Sequence, residues 1–135
     1  MEKPDHSATT QRLLFLLGAI SASLAVALGA FGAHSIKSVV STDMLAVFET
    51  GVRYQMYHAF GMLITALAYT HWGQKGTRGF LAAAWCFGLG TIFFSGSLYL
   101  LSFSGERWIG AITPIGGILF IGGWLALGYS AWKNL

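Results

Sequence analysis

The side chains best suited to hydrogen bonding or proton transfer fall in a few short segments of this otherwise apolar chain. Gln55 and His58 are three residues apart, and Tyr54 and His58 are four apart, so on a helix they share part of one face. Polar groups inside a membrane span are expected to face the other helices. The candidate polar cluster, which the segment order places in one half of the bilayer, is His34, Glu49, Arg53, Tyr54, Gln55, His58, Ser95, Ser97, Tyr99 and Thr113.

Two interpretations of this cluster stay open. It is either a small site for a polar head group, a quinone, an ion or a proton, or a hydrogen-bond network that holds the helices together, and the second is favoured. Glu49 precedes Arg53 by four residues, the spacing of a helical ion pair. Two histidines without a carboxylate or thiolate partner give a weak metal signal, so we predict no metal site and no cofactor.

The cluster contains none of the common catalytic arrangements. We find no nucleophile elbow, phosphate-binding loop, HExxH sequence or paired carboxylates. We therefore predict no catalytic residue and no enzymatic activity. There is also no basic run that would bind nucleic acid.

The elements that must position the polar residues are apparent from where charge is missing. Four stretches lack Asp, Glu, Lys and Arg, and each approaches or exceeds the roughly 20 residues that cross a bilayer as a helix. The composition agrees, with 55% hydrophobic and 10% charged residues. We predict an all-α integral membrane four-helix bundle, a single domain over 13–135 after a polar tail over 1–12, with spans at about 13–33, 53–72, 79–101 and 109–131.

A short amphipathic helix is expected between the first two spans. Ser41 or Thr42 can cap it, and Leu45, Phe48 and Val52 form one apolar face. The pattern predicts a helix that lies along the membrane interface and runs into the second span.

Glycines recur at helical spacing, which is typical of close helix packing in membranes. Gly110 and Gly117 are seven residues apart, as are Gly116 and Gly123, and seven residues are about two helical turns. We expect two flat ridges that pack against a neighbouring helix and mediate association. The predicted packing glycines are Gly29, Gly88, Gly110, Gly116, Gly117 and Gly123.

The distribution of positive charge predicts the orientation in the membrane. Five Lys or Arg residues lie on the side of the termini and three on the other, which modestly favours cytoplasmic termini. The first group is Lys3, Arg12, Lys75, Arg78 and Lys133, and the second is Lys37, Arg53 and Arg107.

Four ordered motifs give the chain a resemblance to a known family. They are the segments 29–34 (GAFGAH), 54–59 (YQMYHA), 94–99 (FSGSLY) and 112–117 (ITPIGG). Over about residues 12–132 the chain resembles the bacterial inner-membrane proteins of the domain-of-unknown-function 423 family, whose relatives include a small mitochondrial transmembrane protein. The resemblance implies a four-helix multipass protein of the cytoplasmic membrane and no settled activity. It directs attention to His34, Tyr54, Gln55, His58, Ser95, Gly96, Ser97, Thr113 and Pro114.

These features favour a non-enzymatic accessory or assembly subunit of a larger membrane complex. The expected partners are the lipid bilayer and either another membrane protein or a second copy of the chain. The alternative is a small oligomeric transport protein, or a lipid- or quinone-binding protein, that uses the polar cluster.

Overall fold

A computed structural model describes residues 6–134, with the side chains of residues 8–73 and 78–134. The order of elements is helix α1 (His6–His34), a 3₁₀ turn (Ile36–Ser38), helix α2 (Thr42–Ser104), a second 3₁₀ turn (Arg107–Ala111) and helix α3 (Thr113–Asn134). The described part of the chain contains no strand, so the all-α prediction is confirmed.

Helix α2 reverses direction near its middle. The Ser95 hydroxyl donates to the Gly51 carbonyl at 2.6 Å, although 44 residues of a straight helix would separate them by about 66 Å. We call residues 42–73 the first arm and residues 78–104 the second arm. Helical backbone continues through the reversal, which lies between the predicted spans 53–72 and 79–101, and α2 thus supplies two antiparallel segments of a four-segment bundle.

The first arm is the central segment of the bundle. It packs against α1 where Gly18 faces Leu63, against the second arm where Gly61 faces Phe87, and against α3 through the ring of His58. Among the described residues, α1 and α3 do not contact each other. The bundle is therefore arranged around the first arm and is open between α1 and α3.

The composition of the segments explains this arrangement. The helices long and apolar enough to cross a membrane, among the described residues, are Ala8–Ser38, Arg78–Ser104 and Arg107–Asn134. The first arm is not among them, and it carries buried Gln55, His58 and Thr65. Polar side chains are costly in contact with lipid, so the least apolar segment takes the place with most helix neighbours.

The predicted interfacial helix is not a separate element. The Ser41 hydroxyl accepts from the Met44 amide and caps α2 at its start, and the helix then continues without a break into the predicted second span. Phe48 is buried against Gly32, so the apolar face of this stretch packs on α1.

Two helix ends do not coincide with the ends of the predicted segments. Helix α1 begins at His6, so residues 6–12 of the predicted polar tail are helical, and residues 1–5 lie outside the described residues. The fourth span begins with a 3₁₀ turn, and regular α-helix starts only at Thr113, which puts Pro114 in the first turn, where its missing amide hydrogen costs nothing.

Candidate ligand groove and polar network

Gln55 joins three segments of the bundle. Its side-chain amide nitrogen donates to the Ser21 carbonyl of α1 at 3.0 Å, and its oxygen accepts from the Tyr99 hydroxyl of the second arm at 2.8 Å. Gln55 is 6% exposed, so both bonds are shielded from competing partners. This residue ties α1 and the second arm to the central first arm.

Serines of the second arm make further polar links. Ser95 is fully buried and bonds the Gly51 carbonyl of the first arm. The Ser97 hydroxyl donates to the Phe94 carbonyl at 2.9 Å and lies 2.7 Å from the Thr113 hydroxyl at the start of α3. Because the single hydroxyl hydrogen of Ser97 is used by Phe94, Thr113 donates to Ser97. Within the described residues, no buried side-chain nitrogen or oxygen lacks a hydrogen-bond partner.

His58 faces α3 and is separate from the Gln55 network. Its ring lies parallel to that of Phe120, with centroids 3.3 Å apart. Its Nδ1 lies 2.6 Å from the Tyr54 carbonyl, and because a carbonyl only accepts, Nδ1 carries the hydrogen. Tyr54 itself stacks on Phe94 at 4.5 Å and is 39% exposed. His58 therefore packs the first arm against α3, and Tyr54 packs it against the second arm.

Three members of the predicted cluster lie elsewhere. All three are exposed: His34 ends α1, and Glu49 and Arg53 lie in the first four turns of α2. The predicted Glu49–Arg53 ion pair is wrong: in the part of the chain described, the Arg53 guanidinium donates instead to the Thr50 hydroxyl at 3.4 Å. The exposed position explains this, because a surface ion pair gains little over solvation of both charges.

The predicted packing glycines divide into two groups. A Cβ on Gly116 would lie 2.6 Å from the Cβ of Phe94, and one on Gly123 would lie 2.8 Å from Cε1 of Phe87. Both glycines thus bring α3 against the second arm of the same chain. Looser contacts are made by Gly29 with Val52 at 3.4 Å, Gly110 with Leu101 at 3.5 Å and Gly117 with Phe94 at 3.9 Å.

Gly88 does not pack against another helix, contrary to the prediction. Nothing in the described structure lies within 4 Å of the position its Cβ would take. Gly88 instead lines a groove of about 550 Å³ between α1 and the second arm. Because this glycine has no side chain, the groove is wider at that point.

The groove opens sideways between α1 and the second arm. Its sides are apolar, with Leu13, Leu17 and Leu24 on α1 and Trp85 and Ile92 on the second arm. Gln55 and Met62 of the first arm lie at its base. In a bilayer, its opening faces lipid and not water.

Polar groups line one stretch of this groove. Ser21 and Thr91 lie on its two sides, and Gln55 lies at its base. Ser21 and Thr91 were not among the predicted site residues. Ser21 could have been found from its spacing, because it follows Gly18 by three residues and precedes Ala25 by four, on the buried face of α1.

Comparison with known proteins decides the family. The model of the family described as "Protein of unknown function (DUF423)" matches residues 28–117. This chain belongs to the DUF423 family. The resemblance found in the four sequence motifs is therefore confirmed.

Relatives in the DUF423 family cover nearly the whole chain. A UPF0382 membrane protein of Staphylococcus haemolyticus is 44% identical over 124 residues, which are 90% of this chain and 97% of the relative. The UPF0382 membrane protein YwdK of Bacillus subtilis is 42% identical over 92% of this chain and 99% of its own length. A relative from Haemophilus influenzae is 40% identical over 87% of this chain and 92% of its own. No solved structure matches.

These relatives are named as membrane proteins, and their names state no activity. The DUF423 chain described here is accordingly a bacterial membrane protein with several spans.

Proposed function

We propose that this DUF423 protein is a non-enzymatic membrane protein that holds a single apolar chain from the lipid phase in the groove between α1 and the second arm. The observation that carries the proposal is the groove itself, with a volume of about 550 Å³, apolar sides and a lateral opening. Ligand sites in proteins commonly have volumes of about 300–1,000 Å³.

The length of the groove suits a chain of one lipid leaflet. On α1 it extends from Thr10 to Leu24, about 21 Å, and on the second arm from Leu81 to Ile92, about 17 Å, at the rise of an α-helix. Half of the hydrocarbon thickness is about 15 Å. One extended chain therefore fills the groove lengthwise.

The variant Gly88→Leu tests this proposal. Its side chain would enter the groove where there is now open space, and we expect the bound chain to be lost. The measurement is native mass spectrometry of protein purified in mild detergent, with bound small molecules counted per protein. We expect occupancy to fall by about tenfold or more, which corresponds to roughly 1.4 kcal/mol of binding free energy.

The variant Gly96→Leu is the matched control. Gly96 also lies on the second arm with nothing within 4 Å of its Cβ position, but it does not line the groove. We expect it to retain the ligand. Equal occupancy in the two variants would contradict the proposal, and a stoichiometric bound protein in place of a small molecule would favour the accessory-subunit hypothesis.

The accessory-subunit hypothesis itself stays a prediction, with weaker support than the sequence offered. It relied on glycine ridges as surfaces for association, but Gly116 and Gly123 contact the second arm within the chain. Transport through the polar cluster is also less well supported, because each buried side-chain nitrogen or oxygen in the described residues already has a hydrogen-bond partner and the groove is mainly apolar.

We further propose that the termini and the reversal of α2 lie on the cytoplasmic side, with the connection between α1 and α2, residues 35–41, near the opposite interface. The charge distribution supports this, with five Lys or Arg residues against three. Cysteines introduced at Lys37 and Lys133 test it with a membrane-impermeant thiol reagent on intact spheroplasts. We expect labelling only at position 37; labelling only at position 133 would reverse the orientation.

A further inference from the structure

The apolar sides of the groove do not by themselves select a ligand. Lipid tails are as apolar as the leucines that line the groove, so a chain gains little hydrophobic free energy by leaving the bilayer for it. A preference for one ligand must come from packing and from polar contacts. Of the polar lining residues, Thr10 lies at one end of the groove, and Ser21, Gln55 and Thr91, nearer its middle, are therefore the determinants to consider.

Ser21 has an unused hydroxyl. Ser23, two residues later, donates its hydroxyl to the Ala19 carbonyl at 2.9 Å, the usual bond of a serine within a helix. Among the described residues, the Ser21 hydroxyl has no such partner, and Ser21 lines the groove. It can therefore donate to a ligand.

Gln55 supplies a second donor beside it. Its Nε2 carries two hydrogens, and the Ser21 carbonyl accepts one of them. In the described structure no protein group accepts the other. A hydroxyl and an amide hydrogen are thus available at one level of the groove, and both suit a carbonyl oxygen.

The depth of these donors restricts the ligand. Thr91, which shares the groove with them, is the middle residue of the apolar helix Arg78–Ser104, and Ser21 lies near the middle of α1. A charged group at that depth is costly. The ester carbonyls of a phospholipid are tied to a charged head group at the membrane surface, so they cannot reach this level.

We propose that the groove binds an uncharged quinone with an apolar tail, and that a ring carbonyl accepts hydrogen bonds from Ser21 Oγ and Gln55 Nε2. This inference rests on the proposed function, because the same groove holds the tail. It adds the ligand class and the two residues that recognise it.

The test is titration calorimetry of the protein in lipid nanodiscs, with a benzoquinone that carries a saturated ten-carbon chain as the probe. We expect saturable binding to the native protein and a dissociation constant about three- to tenfold higher for Ser21→Ala, the effect of one hydrogen bond. Ser23→Ala is the matched control and should bind as the native protein does. Decylbenzene, which has the ten-carbon chain but no carbonyl, should have the same dissociation constant for Ser21→Ala as for the native protein.

The outcomes separate this inference from the proposed function. Equal quinone binding by Ser21→Ala and Ser23→Ala, with loss of binding in Gly88→Leu, would overturn the quinone contact and leave the groove as a lipid site. Quinone binding unaffected by Gly88→Leu would overturn both. Absence of saturable quinone binding to the native protein would also overturn the quinone assignment. The proposed function would then still be tested by the mass-spectrometric comparison of Gly88→Leu with Gly96→Leu.

Discussion

Replacing Gly116 with alanine is expected to lower the free energy of unfolding by about 1–3 kcal/mol, the usual cost of overpacking a close contact. The added methyl group would lie 2.6 Å from the Cβ of Phe94 and 2.8 Å from its Cα. Backbone atoms of a helix cannot move aside as the end of a flexible side chain can. The second arm and α3 must therefore separate, and the effect of leucine should be larger still.

Gly122→Ala provides the control for this prediction. Gly122 lies on the same helix, and nothing is within 4 Å of the position that its Cβ would take. Because alanine has the higher helix propensity, this variant should be as stable as the native protein or slightly more stable. Unfolding in increasing mole fractions of denaturing detergent measures both, and equal stability of the two variants would show that α3 does not approach the second arm so closely.

This prediction also changes how an association experiment should be interpreted. From the sequence, loss of a complex in a Gly116→Leu or Gly123→Leu variant would have indicated a partner surface. Both glycines are buried inside the chain, so the same loss would follow from a disrupted fold. The folding of such variants must be measured before loss of a complex is interpreted as loss of a partner surface.

Replacing Gln55 with leucine is the second change for which we expect a large effect. The variant removes the bonds to the Ser21 carbonyl and the Tyr99 hydroxyl at once. A buried hydrogen bond lost in this way costs about 1–3 kcal/mol where a polar partner is left unsatisfied, and about 0.6 kcal/mol on average in membrane proteins. We expect a loss of about 1–3 kcal/mol in the free energy of unfolding.

A double-mutant cycle with Tyr99→Phe isolates one of these bonds. If the Tyr99 hydroxyl bonds Gln55, the double variant should be less destabilised than the sum of the single variants by about 0.5 kcal/mol or more. Tyr57→Phe is the control, because Tyr57 is 54% exposed and faces away from the bundle. Strict additivity of Gln55→Leu and Tyr99→Phe would contradict the network.

Long-range contacts account for what could not be predicted about the site. Gln55, His58 and Tyr54 were chosen because helical spacing puts them on neighbouring faces, and that reasoning uses only local geometry. It could not show that Gln55 bonds α1 and the second arm while His58 faces α3, because these partners are 34 or more residues away along the chain.

The glycines illustrate the same limit. Spacing alone indicated close packing at Gly88 as well as at Gly116, but it does not say which neighbour, if any, stands opposite. At Gly116 the neighbour is the second arm, and at Gly88 there is open space. A missing side chain permits close approach in one case and widens a groove in the other.

The sequence by itself determined the membrane location, the helical class and the family. The free energy of transferring a long uncharged stretch into lipid depends on composition and length, and both are local properties. Only the tertiary structure decided that the first arm is central, that α1 and α3 stay apart, and that a groove with Ser21 and Gln55 lies between α1 and the second arm. Those features depend on which helix faces pair, and that choice is made by packing between residues far apart in the chain.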